Sequence, residues 1–211
     1  MALRNNLLDD RITAAAMEEF QEKGYMKASL RKIAEKAGVT VGAIQTRYSS
    51  KDELFASLLR PFLDGIEEAF RDVRSVYYSG ADGDIRELLG SSMRYESGTI
   101  LRLIFDHYEE AVLLMYRSAG SSLEHYFDEL VKRKVEQSVL FFRNAGQGGV
   151  DERLLGLLIS AQFDSYRRIV SECPDRRTAE RYMSSMMTYH FGGWTALFDS
   201  LKSVQEISDE V

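Results

Sequence analysis

The sequence predicts an all-α protein, and two observations lead to this fold class. Apolar residues recur at the three- and four-residue spacing of helices along most of the chain, and no segment alternates in the manner of a β-strand. Only two prolines and 15 glycines occur among 211 residues, so long helices can run without interruption. This length is sufficient for one large or two smaller domains, each with its own apolar core.

The first predicted helix is amphipathic, because Ile12, Ala16 and Phe20 recur on one of its faces. Gly24 is a natural end for this helix. A second, short helix is predicted to follow Ser29, whose side chain can accept a hydrogen bond from an unpaired backbone N–H of the first turn.

A tight turn at Gly38 separates the second helix from a third, since glycine adopts a left-handed backbone at little cost. Thr40 can cap the third helix, which is predicted to run from Val41 to about Tyr48. Ile44 would then face inward and hold this helix against the other two.

The fourth helix is predicted to begin after Ser50, because Ser50 and Glu53 have the spacing of a capping box. We expect it to continue through Pro61 to about residue 77. A loop is expected over residues 79–83, and breaks are expected near Gly98, near Gly120, at 146–149 and at Cys173–Pro174. The later helices are predicted over residues 84–96, 99–118, 121–145, 151–172 and 175–203.

These elements predict an N-terminal three-helix module of the helix-turn-helix type, joined by the long fourth helix to a larger helical domain. We place the helix-turn-helix domain at residues 1–50, with its motif at 29–48. The C-terminal domain is placed at residues 51–211.

Charge is distributed unevenly along the chain, although the net charge is −6. The first 60 residues contain ten Lys or Arg and eight Asp or Glu, whereas the remainder contains 17 basic and 25 acidic residues. The N-terminal part can therefore approach a polyanion that the rest of the chain would repel. No apolar run has the length of a membrane span, the N-terminus does not resemble a signal peptide, and the single Cys173 fits a reducing compartment, so we expect a cytoplasmic protein.

A helix-turn-helix motif places its second helix in the major groove of DNA, where polar side chains contact base edges. Glutamine can pair with adenine, and arginine with guanine or a phosphate. Two alternatives stay open, namely that Arg47 and Lys51 are solvated surface charges and that Val41 only allows close approach to the backbone. The predicted DNA-contacting residues are Ser29, Arg31, Lys32, Thr40, Val41, Gly42, Gln45, Arg47, Tyr48 and Lys51.

The N-terminal segment resembles the DNA-binding domain of the TetR family of transcriptional regulators over residues 12–59. Four stretches carry the resemblance, namely AAAMEEFQEKGY at 14–25, SLRKIAEKAGV at 29–39, TVGAI at 40–44 and YSSKDELF at 48–55. Two positions depart from the family pattern, because Val41 and Gln45 stand where the family often has Lys and Tyr. The departures leave the operator sequence open.

The resemblance implies a homodimer formed through the last two long helices, which binds a near-palindromic operator in double-stranded DNA. It also implies a small-molecule effector that enters the C-terminal domain and releases the DNA, so that the protein would act as a repressor. Aromatic residues beside polar groups suggest Phe105, His107, Tyr108 and Tyr126 as pocket residues. The alternative, that these are ordinary core aromatics and surface polar groups, stays open.

We expect neither an enzyme nor a metalloprotein. The sequence lacks a nucleophile elbow, a Walker loop, a dinucleotide fingerprint and a Glu-x-x-His motif, and no cofactor is predicted. Two other hypotheses are kept, namely a helical-bundle enzyme and a module whose N-terminal part binds a partner protein. Steep salt dependence of binding to DNA fragments would distinguish the regulator from the latter.

Overall fold

The computed structural model describes residues 2–79, 85–144, 151–173 and 175–209. Helices dominate these residues and no β-strand occurs among them, which confirms the predicted all-α class. The helices of the described residues are α1 (Ala2–Lys27), α2 (Leu30–Ala37), α3 (Val41–Gln45), α4 (Lys51–Ser79), α5 (Ile85–Asp106), α6 (Tyr108–Tyr116), α7 (Tyr126–Asn144), α8 (Glu152–Glu172) and α9 (Arg176–Asp209). None of them is long and apolar enough to cross a membrane.

The predicted helix ends in the N-terminal part are confirmed at the level of hydrogen bonds. The regular helix of α1 is interrupted at Gly24, which has φ 70° and ψ 161°. Ser29 Oγ accepts a hydrogen bond from the Lys32 N–H at 3.2 Å and caps α2. Gly38 follows α2 in the left-handed conformation, with φ 63°.

Helix α4 begins with the predicted capping interaction. Ser50 Oγ accepts a hydrogen bond from the Glu53 N–H at 3.0 Å. The Glu53 carboxylate accepts from the Ser49 N–H at 2.6 Å, one residue before the usual partner in a capping box. The helix continues through Pro61, as predicted, and ends at Ser79.

The predicted break near Gly98 is wrong, because α5 continues through this glycine to Asp106. One glycine costs a helix only about 1 kcal/mol, and the buried Met93 and Leu101 anchor α5 on both sides of it. The chain leaves the helical conformation at His107, with φ −126° and ψ 49°. The helix predicted over 99–118 is therefore divided between α5 and α6.

Three other helix boundaries differ from those predicted. Helix α3 ends at Gln45 instead of residue 48, α7 begins at Tyr126 instead of residue 121, and α9 extends beyond residue 203 to Asp209. The loop predicted over 79–83 falls, beyond Ser79, outside the described residues, and so does the break predicted at 146–149.

The chain divides into two compact units. The first comprises Met1–Asp64 and His107–Tyr126, and the second comprises Gly65–Asp106 and Phe127–Val211. The predicted division between a DNA-binding domain, residues 1–50, and a C-terminal domain, residues 51–211, is a division by function, and it stays a prediction.

The core of the first unit is built from α1 to α4 and from α6. The Phe20 and Phe55 rings meet edge to face with their centroids 4.9 Å apart, and the Tyr25 ring lies 5.1 Å from that of Phe55. The largest fully buried side chains of this core are Ile12, Phe20, Ile33, Ile44, Leu54, Phe55, Leu59, Phe62, Leu113 and Leu114. Together they hold the helices of this unit in one arrangement.

The second unit has an apolar core that contains one buried ion pair. The Phe142 and Trp194 rings pack with their centroids 6.2 Å apart. Lys134 of α7 donates a hydrogen bond to the Glu96 carboxylate of α5, and the two side chains are only 8% and 4% exposed. Such a pair is costly to break, since either charge alone would be buried without a partner.

Candidate nucleic-acid interface

The turn between α2 and α3 is stabilised by hydrogen bonds from a side chain of α1. Arg11 donates hydrogen bonds to the carbonyl oxygen of Ala37 and, at 3.2 Å, to that of Gly38. The turn requires glycine at position 38 for its positive φ, and a Cβ atom there would also lie 2.7 Å from Arg11 Nη2, so that this guanidinium would have to shift. Sequence analysis missed Arg11, because its carbonyl partners lie more than twenty residues away along the chain.

A group of ion pairs joins α2 to α1. The Lys36 ammonium lies 2.9 Å from the carboxylate of Glu18 and 3.3 Å from those of Glu19 and Glu22. The hydrogen bond to Glu18 is the largest cause of a pKa of Lys36 that is raised above its ordinary value. The spacing of Glu18 and Glu22 on one helical face was a signal that could have indicated a cationic partner.

Helix α3 is positioned by one buried and one capping residue. Ile44 is fully buried in the core of the first unit. Thr40 Oγ1 accepts a hydrogen bond from the Ala43 N–H at 3.1 Å, which caps the first turn as predicted. Rotation of α3 about its axis would expose Ile44 and break the cap, so these contacts determine which residues face solvent.

The outer side of α3 carries small and polar residues. Thr40, Gly42 and Gln45 are exposed, and Val41 is half-buried. Thr46, which the sequence analysis did not select, is also exposed, and its hydroxyl donates to the Gly42 carbonyl oxygen at 2.8 Å. These residues are accessible to solvent, so the contacts with DNA that were predicted for them are sterically possible.

Two cationic residues lie on the outer side of α2. Arg31 and Lys32 are both exposed, as is Ser29 at the start of this helix. The Lys32 ammonium lies 2.9 Å from the Glu35 carboxylate. An exposed pair of this kind contributes little stability, so it can exchange for a phosphate at small cost.

Arg47, predicted to contact DNA, is engaged within the protein. Its guanidinium forms an ion pair with Asp9 of α1 and donates to the Ala43 carbonyl oxygen at 3.3 Å. Arg47 and its neighbour Tyr48 are both half-buried. A DNA contact by Arg47 stays a prediction, and it would compete with the Asp9 carboxylate.

Lys51, also predicted to contact DNA, is directed at the end of α1. Its ammonium donates to the carbonyl oxygens of Tyr25, at 2.7 Å, and of Ala28, at 3.1 Å. It also lies 4.3 Å from the centroid of the Tyr25 ring. Lysine caps the C-terminal carbonyls of helices in this way. These three contacts engage the Lys51 ammonium within the protein and would have to be given up for a phosphate. A phosphate contact by Lys51 stays a prediction.

Asp52 connects the start of α4 to the segment after α6. Its carboxylate accepts a hydrogen bond from the Ser122 N–H at 2.9 Å. Burial by itself would raise the pKa of Asp52, but the hydrogen bonds from Ser122 lower it overall. The pKa of Tyr25 is raised by burial and by the adjacent Asp52 charge.

The four predicted pocket residues are divided between the two units. Phe105 is half-buried near the end of α5 in the second unit. His107, Tyr108 and Tyr126 belong to the first unit. The His107 ring lies 6.2 Å from the Phe62 ring, and Tyr108 is exposed. Their role in ligand binding stays a prediction.

Comparison with known proteins identifies the N-terminal segment. Residues 12–58 match the family described as bacterial regulatory proteins of the tetR family. A stretch of 60 residues is 40% identical to the HTH-type transcriptional repressor KstR2 of Mycobacterium tuberculosis. The alignment with KstR2 spans 28% of this chain and 29% of KstR2, so the likeness in sequence is confined to the N-terminal segment.

Two solved structures extend the similarity of fold beyond this segment. One is the regulator FadR of Bacillus subtilis in complex with stearoyl-CoA, with a TM-score of 0.60 at 18% identity, over 87% of this chain and 97% of FadR. The other is a TetR-like regulator from Rhodococcus, with a TM-score of 0.60 at 17% identity, over 88% of this chain and 96% of that one. At these identities the similarity shows the fold of the chain alone.

Proposed function

We propose that this chain is a DNA-binding transcriptional regulator of the TetR family, and specifically a repressor, not an enzyme. The observation that carries the proposal is the outer side of α3, where small and polar residues are exposed while Ile44 is fully buried. A helix-turn-helix motif requires this arrangement in order to place one helix in the major groove. The KstR2 relative, matched over the N-terminal segment, is named a repressor.

The base contacts would come from α3. Gln45 can donate to and accept from one adenine edge. A Cβ atom at Gly42 would meet only Thr40 Oγ1, at 3.8 Å, so packing inside the protein does not require glycine there. An open position of this kind suits close approach of the helix to DNA. Arg31 and Lys32, exposed on α2, would contact phosphates and set the register.

The homodimer would form through α8 and α9. Leu157 of α8 is 71% exposed and Tyr189 of α9 is 79% exposed, and Leu154 and Tyr182 are exposed on the same two helices. Exposed apolar residues concentrated on one pair of helices are typical of a protein interface. A two-fold dimer would present two α3 helices about one DNA turn, ~34 Å, or somewhat more apart, so the operator would be near-palindromic.

A small-molecule effector would release the operator. The FadR neighbour holds stearoyl-CoA in its crystal structure, and this supports an effector site in the helical second unit of the present chain. Such a ligand acts only through a difference between its affinities for the DNA-bound and the DNA-free conformations.

The test of DNA binding is selection of bound fragments from random DNA, followed by titration of the selected sequence. We expect Gln45→Ala to weaken binding to the selected sequence by about tenfold, the value of roughly one lost bidentate base contact, and to leave binding to random DNA unchanged. Gln21→Ala on α1 is the matched control and should behave as wild type. Absence of salt-dependent binding to any fragment would reject the proposal and favour a partner protein.

The test of the dimer is sedimentation of Leu157→Asp. We expect this variant to be monomeric, because a carboxylate would have to be buried in the interface. Leu140→Asp is the matched control, since Leu140 is an exposed leucine of α7, which is not one of the two proposed interface helices. A dimeric Leu157→Asp variant would place the interface elsewhere.

A further inference from the structure

A groove between α5 and α9 is a feature of the second unit that the proposed function leaves unexplained. Its volume is about 430 Å³, within the range of sites for small molecules. Its floor is formed by four buried apolar side chains, those of Met93, Leu101, Met183 and Met187. Three of them are methionines, whose unbranched and polarizable side chains adapt to the shape of an apolar ligand.

Arginines line the rim of this α5–α9 groove. Arg176 is engaged, because its guanidinium lies 2.9 Å from the Asp106 carboxylate and 3.1 Å from that of Glu180. Arg94 and Arg102 are exposed, and neither has an acidic partner among the described residues. An apolar floor is therefore combined with two guanidinium groups whose donors are available to an anion.

Gly98, at the wall of the groove, has no structural reason to be glycine. It lies in the interior of α5, where glycine costs about 1 kcal/mol relative to alanine. A Cβ atom there would meet nothing within 4 Å, whereas one at Gly90 would lie 3.0 Å from the Phe191 ring. Packing thus explains Gly90 but not Gly98, and because Gly98 lines the groove, a side chain at this position would occupy part of it.

The groove would stay accessible in the proposed dimer. Ser184 lines it, and Tyr182, on the face proposed for dimerisation, is two residues away. Two residues correspond to a rotation of about 200° around a helix, so the groove and the proposed dimer face lie on opposite sides of α9.

We infer that the α5–α9 groove binds an amphiphile with an unbranched apolar chain and an anionic head group, either a carboxylate or a phosphate. The chain lies along the methionine floor, and the head group accepts hydrogen bonds from Arg94 and Arg102. The inference rests on the proposed function only where it identifies this amphiphile as the effector that releases DNA.

Calorimetric titration of the full chain tests the ligand class, with four probes of equal chain length kept below their micelle concentrations. We expect dodecanoate and dodecyl phosphate to bind at least about tenfold more tightly than dodecanol, the loss expected for a charge-assisted hydrogen bond. Dodecyltrimethylammonium should bind most weakly. The tighter of the two anions identifies the head group as that of a fatty acid or of a phosphate ester. Equal binding of dodecanol, or no binding of any probe, would overturn the inference.

Variants of the groove test its location. Gly98→Leu should fill the groove and weaken dodecanoate binding by about tenfold or more, through loss of the contacts of several methylene groups. It should remain folded, because leucine favours helix over glycine. Gly156→Leu is the matched control, since a Cβ atom at this helical glycine of α8 also meets nothing within 4 Å. Wild-type affinity in Gly98→Leu would exclude the groove.

The head-group contact has its own variant. We expect the double substitution of Arg94 and Arg102 by Gln to reduce dodecanoate binding to the level of dodecanol, with Arg153→Gln as the exposed-arginine control. Retained preference for the anion in the double variant would overturn the assignment of the head group.

Operator binding, measured in parallel, separates this inference from the proposed function. Binding of dodecanoate without DNA release leaves the groove as a ligand site and removes it as the effector site. Binding of dodecanoate by a chain that binds no DNA would reject the proposed function while supporting the groove. DNA binding by a chain that binds no amphiphile would support the proposed function and reject the groove as a ligand site.

Discussion

Replacement of Lys51 by Met distinguishes a structural role of this residue from a DNA contact. The ammonium donates to the carbonyl oxygens of Tyr25 at 2.7 Å and Ala28 at 3.1 Å, and it lies over the Tyr25 ring. Hydrogen bonds to a charged group contribute about 1.5–3 kcal/mol each, and an exposed cation–π contact about 0.5–1 kcal/mol. Lys51 is only half-buried, so water compensates part of the loss. We expect the free energy of unfolding to fall by about 2 kcal/mol.

The assay combines urea unfolding, followed by circular dichroism, with the salt dependence of operator binding. For Lys51→Met we expect the stability loss and an unchanged slope of log affinity against log salt concentration. Lys32→Met is the contrasting variant, because its exposed pair with Glu35 contributes about 0.2–1 kcal/mol while a lost phosphate contact lowers the slope by about one. If Lys51→Met left the stability unchanged and lowered the slope by about one, the capping argument would be refuted.

Three further predictions concern the cores and one carboxylate. Ile44→Ala should lower the free energy of unfolding by about 2–5 kcal/mol and abolish operator binding; urea unfolding and titration with DNA check both, and unimpaired binding would show that Ile44 does not position α3. Lys134→Met should cost about 3–5 kcal/mol, whereas the double variant that adds Glu96→Leu should recover most of the loss; a single-variant cost below about 1 kcal/mol would contradict the burial of the pair. The pKa of the Asp52 carboxyl is lowered in the folded state, so its hydrogen bond from Ser122 stabilises the protein above the unfolded pKa of about 3.9, and that contribution is lost as pH falls through the folded value. The free energy of unfolding of Asp52→Asn, measured with urea, should therefore fall by less between about pH 6 and about pH 3 than that of the wild type, and equal losses in the two proteins would argue against the linkage.

Local signals predicted the N-terminal part of the fold well. Ser29, Thr40 and Ser50 each accept the capping hydrogen bond that their positions indicated, because a cap involves residues only three positions apart. The same kind of reasoning was wrong at Gly98, where packing of α5 on both sides outweighs the low helix propensity of one glycine. It did not detect the end of α5 before His107, which has no capping side chain.

The candidate DNA contacts could be predicted as a set but not in their individual environments. The exposure of Gln45 and the burial of Ile44 follow from the spacing of residues on α3. The ion pair of Arg47 with Asp9 joins residues 38 positions apart. The hydrogen bond from Lys51 to the Tyr25 carbonyl joins residues 26 positions apart. No spacing rule relates positions so distant, so the sequence left both cations equally available for phosphate.

By itself, the sequence determined the all-α class and the helix-turn-helix segment, because helical periodicity and capping act over a few residues. It also provided the resemblance to the TetR family, through motifs confined to residues 12–59. Only the tertiary structure decided which cations are already bound to groups within the protein. It also decided that α5 and α9 form a groove with Arg94 and Arg102 at its rim. These features depend on contacts between helices that are far apart in the chain, and the physical reason is that such contacts are selected by packing of the whole core.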